Sequence, residues 1–242
     1  MEFIAVLLLG LLAGTVGGVV GFGASIMLMP VLVMVFGPRE AVPIMSVASI
    51  LANGSRVAVW WRDIDWKVTA AYSLTAVPAA VMGARTMLIL PPGLMDTLLG
   101  LFFLAMIPCR RWMRRQDWRL HYGHMMLVGT CIGYITGIVV STGPINAPFF
   151  LAYGLVKGAY LGTEAMGSLT IYLAKAATFR HYDALPWAIV AKGLIVGSSL
   201  VGGAFIAKRI VQRMNTEQFR HLMDGVLLLA GLTLLLTAYQ RA

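Results

Sequence analysis

The stretch Gly10-Leu-Leu-Ala-Gly14-Thr-Val-Gly17-Gly18-Val-Val-Gly21-Phe22-Gly23-Ala24-Ser25 decides the fold, because the chain contains it twice. About 119 residues later, Gly129, Gly133 and Gly137 repeat the spacing of Gly10, Gly14 and Gly18. Ser141-Thr142-Gly143-Pro144 then repeats the small-residue break at Gly21, Gly23 and Ser25. A short apolar segment follows each break. The echo continues in Met82-Gly83-Ala84 with Gly202-Gly203-Ala204, and in Leu99-Gly100-Leu101 with Asp224-Gly225-Val226. Residues four apart share a helix face, so each glycine triplet forms a ridge on which another helix can pack closely. Two hydrophobic halves with matched glycine or proline interruptions are the sequence mark of a membrane transporter that rocks about a midplane site.

Composition identifies the solvent. Of the 242 residues, 59% are apolar and 12% charged, against about 45–50% and about 25% in an ordinary soluble domain. The chain has room for about eight to ten hydrophobic segments and no separate soluble domain, so a nucleotide-hydrolysing module would have to be another chain. The net charge of +9 does not gather into the broad basic face that nucleic acid requires, and no nucleic-acid partner is expected. Cys109 and Cys131 are too few for a disulfide framework. Met1-Glu2 lacks the basic start of a cleaved signal peptide, so the first hydrophobic segment is read as a retained helix.

Helical apolar runs between breakers give five segments per half. They fall near 3–21, 24–36, 40–60, 67–90 and 93–108, and again near 123–140, 144–155, 158–178, 186–207 and 218–239. The second of each set is shorter than the ~20 residues needed to cross the hydrocarbon, so each is expected to be a half-helix. Arg110, Arg111, Arg114, Arg115 and Arg119 place the connecting loop in the cytoplasm, and Lys208, Arg209 and Arg213 place a second loop there. Counting segments from these loops puts Arg62 and Lys67 inside and Arg180, His181 and Asp183 outside. The expected fold is therefore an all-α integral membrane protein of the inner membrane with two inverted repeats, 1–108 and 122–242. A cytoplasmic linker at 109–121 joins them into a single transmembrane domain, and both termini lie outside. If the first two segments of each half form a re-entrant hairpin, the parity is unchanged.

The breaks are the candidate binding site. At Gly21, Phe22, Gly23, Ala24 and Ser25 the chain can turn tightly, and the helix that follows begins with amides that lack intrahelical acceptors. Ser141, Thr142, Gly143, Pro144 and Asn146 repeat the arrangement, with proline suited to the first turn and hydroxyls suited to capping. The competing explanation is that these glycines serve close packing alone. On the third segment Ser46, Ser49, Asn53 and Arg56 share one face; in the second half Glu164, Ser168 and Lys175 lie on a comparable face. A charge at mid-helix costs about 2.5–3.5 kcal/mol on insertion scales. Glu164 is therefore the candidate for a coupling proton, or else a group at the extracellular mouth. Arg56 and Lys175 are candidates for coupling or gating, with snorkelling to the headgroups as the alternative.

No Gly-x-Ser-x-Gly elbow, His-Glu-x-x-His pair or phosphate-binding loop occurs, so no enzymatic reaction is assigned. Neither cofactor nor metal is expected: His121, His124, His181 and His221 are scattered, and the methionines read as packing.

Together, Gly14-x-x-Gly17-Gly18-x-x-Gly21-Phe22-Gly23-Ala24-Ser25, Pro30, the helix opening Gly37-Pro38-Arg39-Glu40-Ala41-Val42, and Asp65-Trp66 resemble the TauE/SafE, or sulfite-exporter-like, permeases. Leu185-Pro186-Trp187 and Gly202-Gly203-Ala204 extend the likeness through the second half. The second motif differs from the family's usual glycine-rich form, and Glu164 stands where a small hydroxylic residue is common. The resemblance implies transport of a small anion of the sulfite, sulfonate, sulfoacetate or carboxylate class. Half-helix amides would bind its head, while Asn53, Thr142 and Asn146 supply directed hydrogen bonds. The alternatives are an anion channel with the same helix ends, or a membrane subunit working with a separate ATPase. Lipid is the expected surround, and a homodimer follows if a glycine ridge faces outward.

Overall fold

A computed structural model describes residues 2–22, 24–36, 38–89, 120–138, 142–219 and 221–222, and among these the regular structure is entirely helical. The expected segment at 93–108, the arginines of the linker, most of the segment at 218–239, and Gly23 and Ser141 lie outside the described residues.

The first helix, α1 (Glu2–Val20), carries the glycine ridge and stops at the break. There Gly21 takes a φ of +90°, and a Cβ on it would lie 2.6 Å from the Tyr160 hydroxyl. Only glycine meets both demands. Helix α2 (Ala24–Phe36) follows, then α3 (Pro38–Trp60), a 3-10 turn (Trp61–Asp63) and α4 (Trp66–Ile89). In the second half the helices are α5 (Tyr122–Ile138), α6 (Gly143–Ala152), α7 (Lys157–His181) and α8 (Trp187–Arg213). Two of the described helical spans, Glu40–Asp63 and Trp187–Arg213, are long and apolar enough by length and composition to cross a membrane.

Local chemistry sets several boundaries. Asp65 begins α4: its Oδ1 accepts the Lys67 and Val68 amides at 3.0 and 3.1 Å, the geometry of an N-cap. Helix α6 ends at Ala152, short of the expected 155, because Gly154 at φ +105° closes a Schellman turn. The Gly154 amide donates to the Leu151 carbonyl at 3.0 Å and the Leu155 amide to the Phe150 carbonyl at 3.2 Å. Asp183, at φ +56°, closes α7 in the same way. Helix α8 outlasts its apolar run, ending at Arg213 instead of near 207. Lys208, Arg209 and Arg213, expected in a loop, form its last turns. Backbone hydrogen bonding sustains a helix beyond the side chains that fit lipid. The Lys208 Nζ donates to the Val59 carbonyl at 2.9 Å and so ties the ends of α8 and α3.

The ridges are buried within the chain. Helix α5 lies on α4 so closely that a Cβ at Gly129, Gly133 or Gly137 would meet the carbonyl oxygen of Tyr72, Ala76 or Ala80 at 2.4, 2.3 and 2.5 Å. Helix α1 lies on α8 in the same manner, with a Cβ at Gly14 falling 2.6 Å from the Leu200 carbonyl oxygen. Such approach maximises dispersion contact where no water drives helices together. Both glycine triplets thus face neighbouring helices of the same chain. Helices α3 and α7 pack together at the centre, Trp60 of α3 lying over Gly158 and Gly162 of α7. The core around them includes Tyr72, Phe150, Tyr160 and Phe219, all buried.

Candidate functional site

The two helix breaks touch: a Cβ built on Gly143 would fall 2.2 Å from the Cβ of Phe22. Beside this contact is a cavity of about 580 Å³, open mouth included, bounded by α1, α2, α3, α5, α7 and α8. Gly21, Phe22, Ala24 and Ser25 line it from the first break, and Thr142 and Gly143 from the second. Ser49, Asn53 and Arg56 reach it from α3, and Glu164 and Ser168 from α7.

Arg56 and Glu164 form its centre. The Arg56 guanidinium donates to Glu164 Oε2 at 2.8 Å, to the Gly21 carbonyl at 2.6 Å and to Asn53 Oδ1. The other carboxylate oxygen, Oε1, accepts from Ser168 Oγ at 2.7 Å and Asn146 Nδ2 at 3.3 Å. Both side chains are buried, 8% and 3% exposed. The side chains point inward, so neither snorkelling of Arg56 nor an exposed mouth position for Glu164 describes this arrangement. A buried pair of this kind is tolerated only where further hydrogen bonds satisfy its remaining lone pairs and protons, as they do here. The pair joins the two halves of the chain and, among the described lining residues, leaves the cavity without net charge.

Asn146 does not line the cavity; it stands behind Glu164, its own Oδ1 accepting the Tyr72 hydroxyl at 3.2 Å. Thr142 caps nothing, because its hydroxyl is bonded to that of Thr136, while the Ile145 and Asn146 amides bond to the Thr142 carbonyl at 2.9 Å. Pro144 sits in the first turn of α6, where a missing amide hydrogen costs least. Lys175 is fully buried but outside the cavity lining. It donates to the Thr136 carbonyl at 3.0 Å and lies 5.4 Å from the Phe179 ring centroid. Its side chain therefore supports the end of α5 rather than reaching a headgroup.

Sequence reading missed Thr136 and Tyr172, which also line the cavity. Tyr172 had a signal, since it follows Glu164 and Ser168 at the same four-residue step. Thr136 had only its place beside Gly137, inside a segment read as packing.

A family model described as Sulfite exporter TauE/SafE matches residues 6–234. The chain is also similar to the probable membrane transporter protein YjnA of Bacillus subtilis (strain 168), 20% identical over 255 residues, covering 96% of this chain and 99% of that protein. No solved structure matches.

Proposed function

The chain belongs to the sulfite exporter TauE/SafE family, and on that premise we propose that it is a multi-pass inner-membrane transporter for a small organic or sulfur-containing oxyanion. Membrane transport is the function the family and the relative both support. The anion assignment is carried by one observation: the two helix breaks meet beside a cavity into which Arg56 projects, within a bundle whose helices are otherwise mostly apolar. An oxyanion there would lie near helix N-termini and a guanidinium, the two protein groups that suit it best.

Alternating access between inverted repeats is part of the same proposal. Its support is the exchange of partners between halves: α1 packs on α8, and α5 packs on α4. Helices α2 and α6 begin about 119 residues apart, as do α3 and α7. A two-fold relation in the membrane plane would generate both patterns.

The test is uptake of labelled sulfite, sulfoacetate, isethionate and propionate into proteoliposomes, followed by counterflow. Concentrative uptake or accelerated exchange of one of these supports a carrier. Purely dissipative flux without counterflow identifies a channel, and no flux of any anion refutes the substrate class.

A further inference from the structure

Among the described residues lining the cavity, Arg56 is the sole cation and Glu164 the sole acid, and they hold each other at 2.8 Å. An entering oxyanion thus meets a guanidinium whose charge is already balanced. Glu164 Oε2 also occupies the place a substrate oxygen would need, since a carboxylate or sulfonate oxygen would accept the same Arg56 N–H. The remaining Arg56 contacts, the Gly21 carbonyl and Asn53, are uncharged and hold the guanidinium at the cavity wall.

Resting on the anion-transport reading, we propose that Glu164 is an internal competitor for Arg56, so that the oxyanion binds together with one proton. A proton supplied by the buffered bulk solution bonds to a Glu164 carboxylate oxygen, the ion pair with Arg56 opens, and the oxyanion takes the vacated place on the guanidinium. On release the proton returns to water and the pair re-forms. An anion of charge −1 and a proton enter together, so the site is neutral before and after. Arg56 keeps its charge throughout; the carboxyl is the group that changes.

The surroundings agree with this assignment. Glu164 faces Arg56 from α3 and Asn146 from α6, with the Tyr72 hydroxyl of α4 behind Asn146. On its own helix Ser168 bonds to it, and Tyr160 and Tyr172 lie within electrostatic reach. Lys175, farther along α7, points to the Thr136 carbonyl. Ser168 and Asn146 contact Oε1 alone. Oε2 is therefore the oxygen that can let go of Arg56 while the side chain stays anchored.

The experiment is calorimetric titration of the full chain in detergent with isethionate and propionate between about pH 6 and about pH 8.5, a window in which each probe stays a monoanion. The apparent Kd of the wild type should weaken toward tenfold per pH unit in the upper part of the range. Repeating it in buffers of different ionisation enthalpy should show about one proton taken up per anion bound, a measurement that needs no variant. Glu164→Gln should bind with no pH dependence and, at the alkaline end, roughly tenfold or more tighter than wild type. Arg56→Gln should bind none of the probes at any pH. Wild-type binding without proton uptake overturns the competition and leaves the anion reading standing. Glu164→Gln binding more weakly than wild type throughout makes Glu164 a ligand and also overturns it. If the wild type binds no probe at any pH, the anion reading itself fails.

Discussion

Arg56 and Glu164 are each costly in a bundle of this kind, and each is stable because of the other. Removing one partner strands the second as an uncompensated buried charge, worth about 3–5 kcal/mol. Arg56→Gln should therefore lower the thermal midpoint sharply in detergent, whereas Arg56→Gln combined with Glu164→Gln should recover most of the loss, since two amides can bond to one another without charge. A double variant no more stable than Arg56→Gln alone would show that the pair is energetically independent. Gly143 invites a different test. Any side chain there meets Phe22 before it can reach the cavity, since a Cβ would fall 2.2 Å from the Phe22 Cβ. Even Gly143→Ala should thus impair transport, and Phe22→Gly in the same protein, which removes the Cβ it meets, should restore part of it. Full activity of Gly143→Ala alone, measured by uptake, contradicts the contact.

At the scale of the helix, caps and ridges carry separable amounts of stability. Asp65 accepts two orphan amides at the start of α4, so Asp65→Ala should cost about 1 kcal/mol, read as a shift in the unfolding midpoint. Two glycines of α5 provide an internal comparison. A Cβ at Gly133 would lie 2.3 Å from the Ala76 carbonyl oxygen, whereas one at Gly123 meets nothing within 4 Å. Gly133→Ala must separate two backbones and should destabilise by about 1–3 kcal/mol. Gly123→Ala should be neutral or slightly stabilising, because alanine is the better helix former. Equal effects would mean that ridge packing between α4 and α5 contributes little.

For the whole molecule, inverted halves require that equivalent loops lie on opposite faces of the membrane. Single cysteines replacing Asp63 and Asp183, in a chain whose Cys109 and Cys131 are changed to serine, should react with an impermeant maleimide from opposite sides of a sealed vesicle. Labelling from the same side would remove the inverted relation, and with it the two-fold account of how α1 and α5 exchange partners. Legibility also changes at this scale. The helices and breaks could be located from sequence because apolar runs, glycine and proline act locally, within a turn or two of chain. The polar face Ser49, Asn53, Arg56 was legible for the same reason, as a fixed angular step on one helix.

By itself, then, the sequence determined an apolar helical chain, its duplicated ridges and breaks, and which side chains could share a helix face; each depends on spacing along one element. Tertiary structure decided what each face meets. The sequence could not assign α5 to α4 and α1 to α8, because a glycine ridge accepts any smooth helix. Nor could it join Arg56 to Glu164, 108 residues away, or turn Lys175 toward the Thr136 carbonyl. A buried charge specifies that it needs a partner, while the path of the backbone through space selects which partner is within reach.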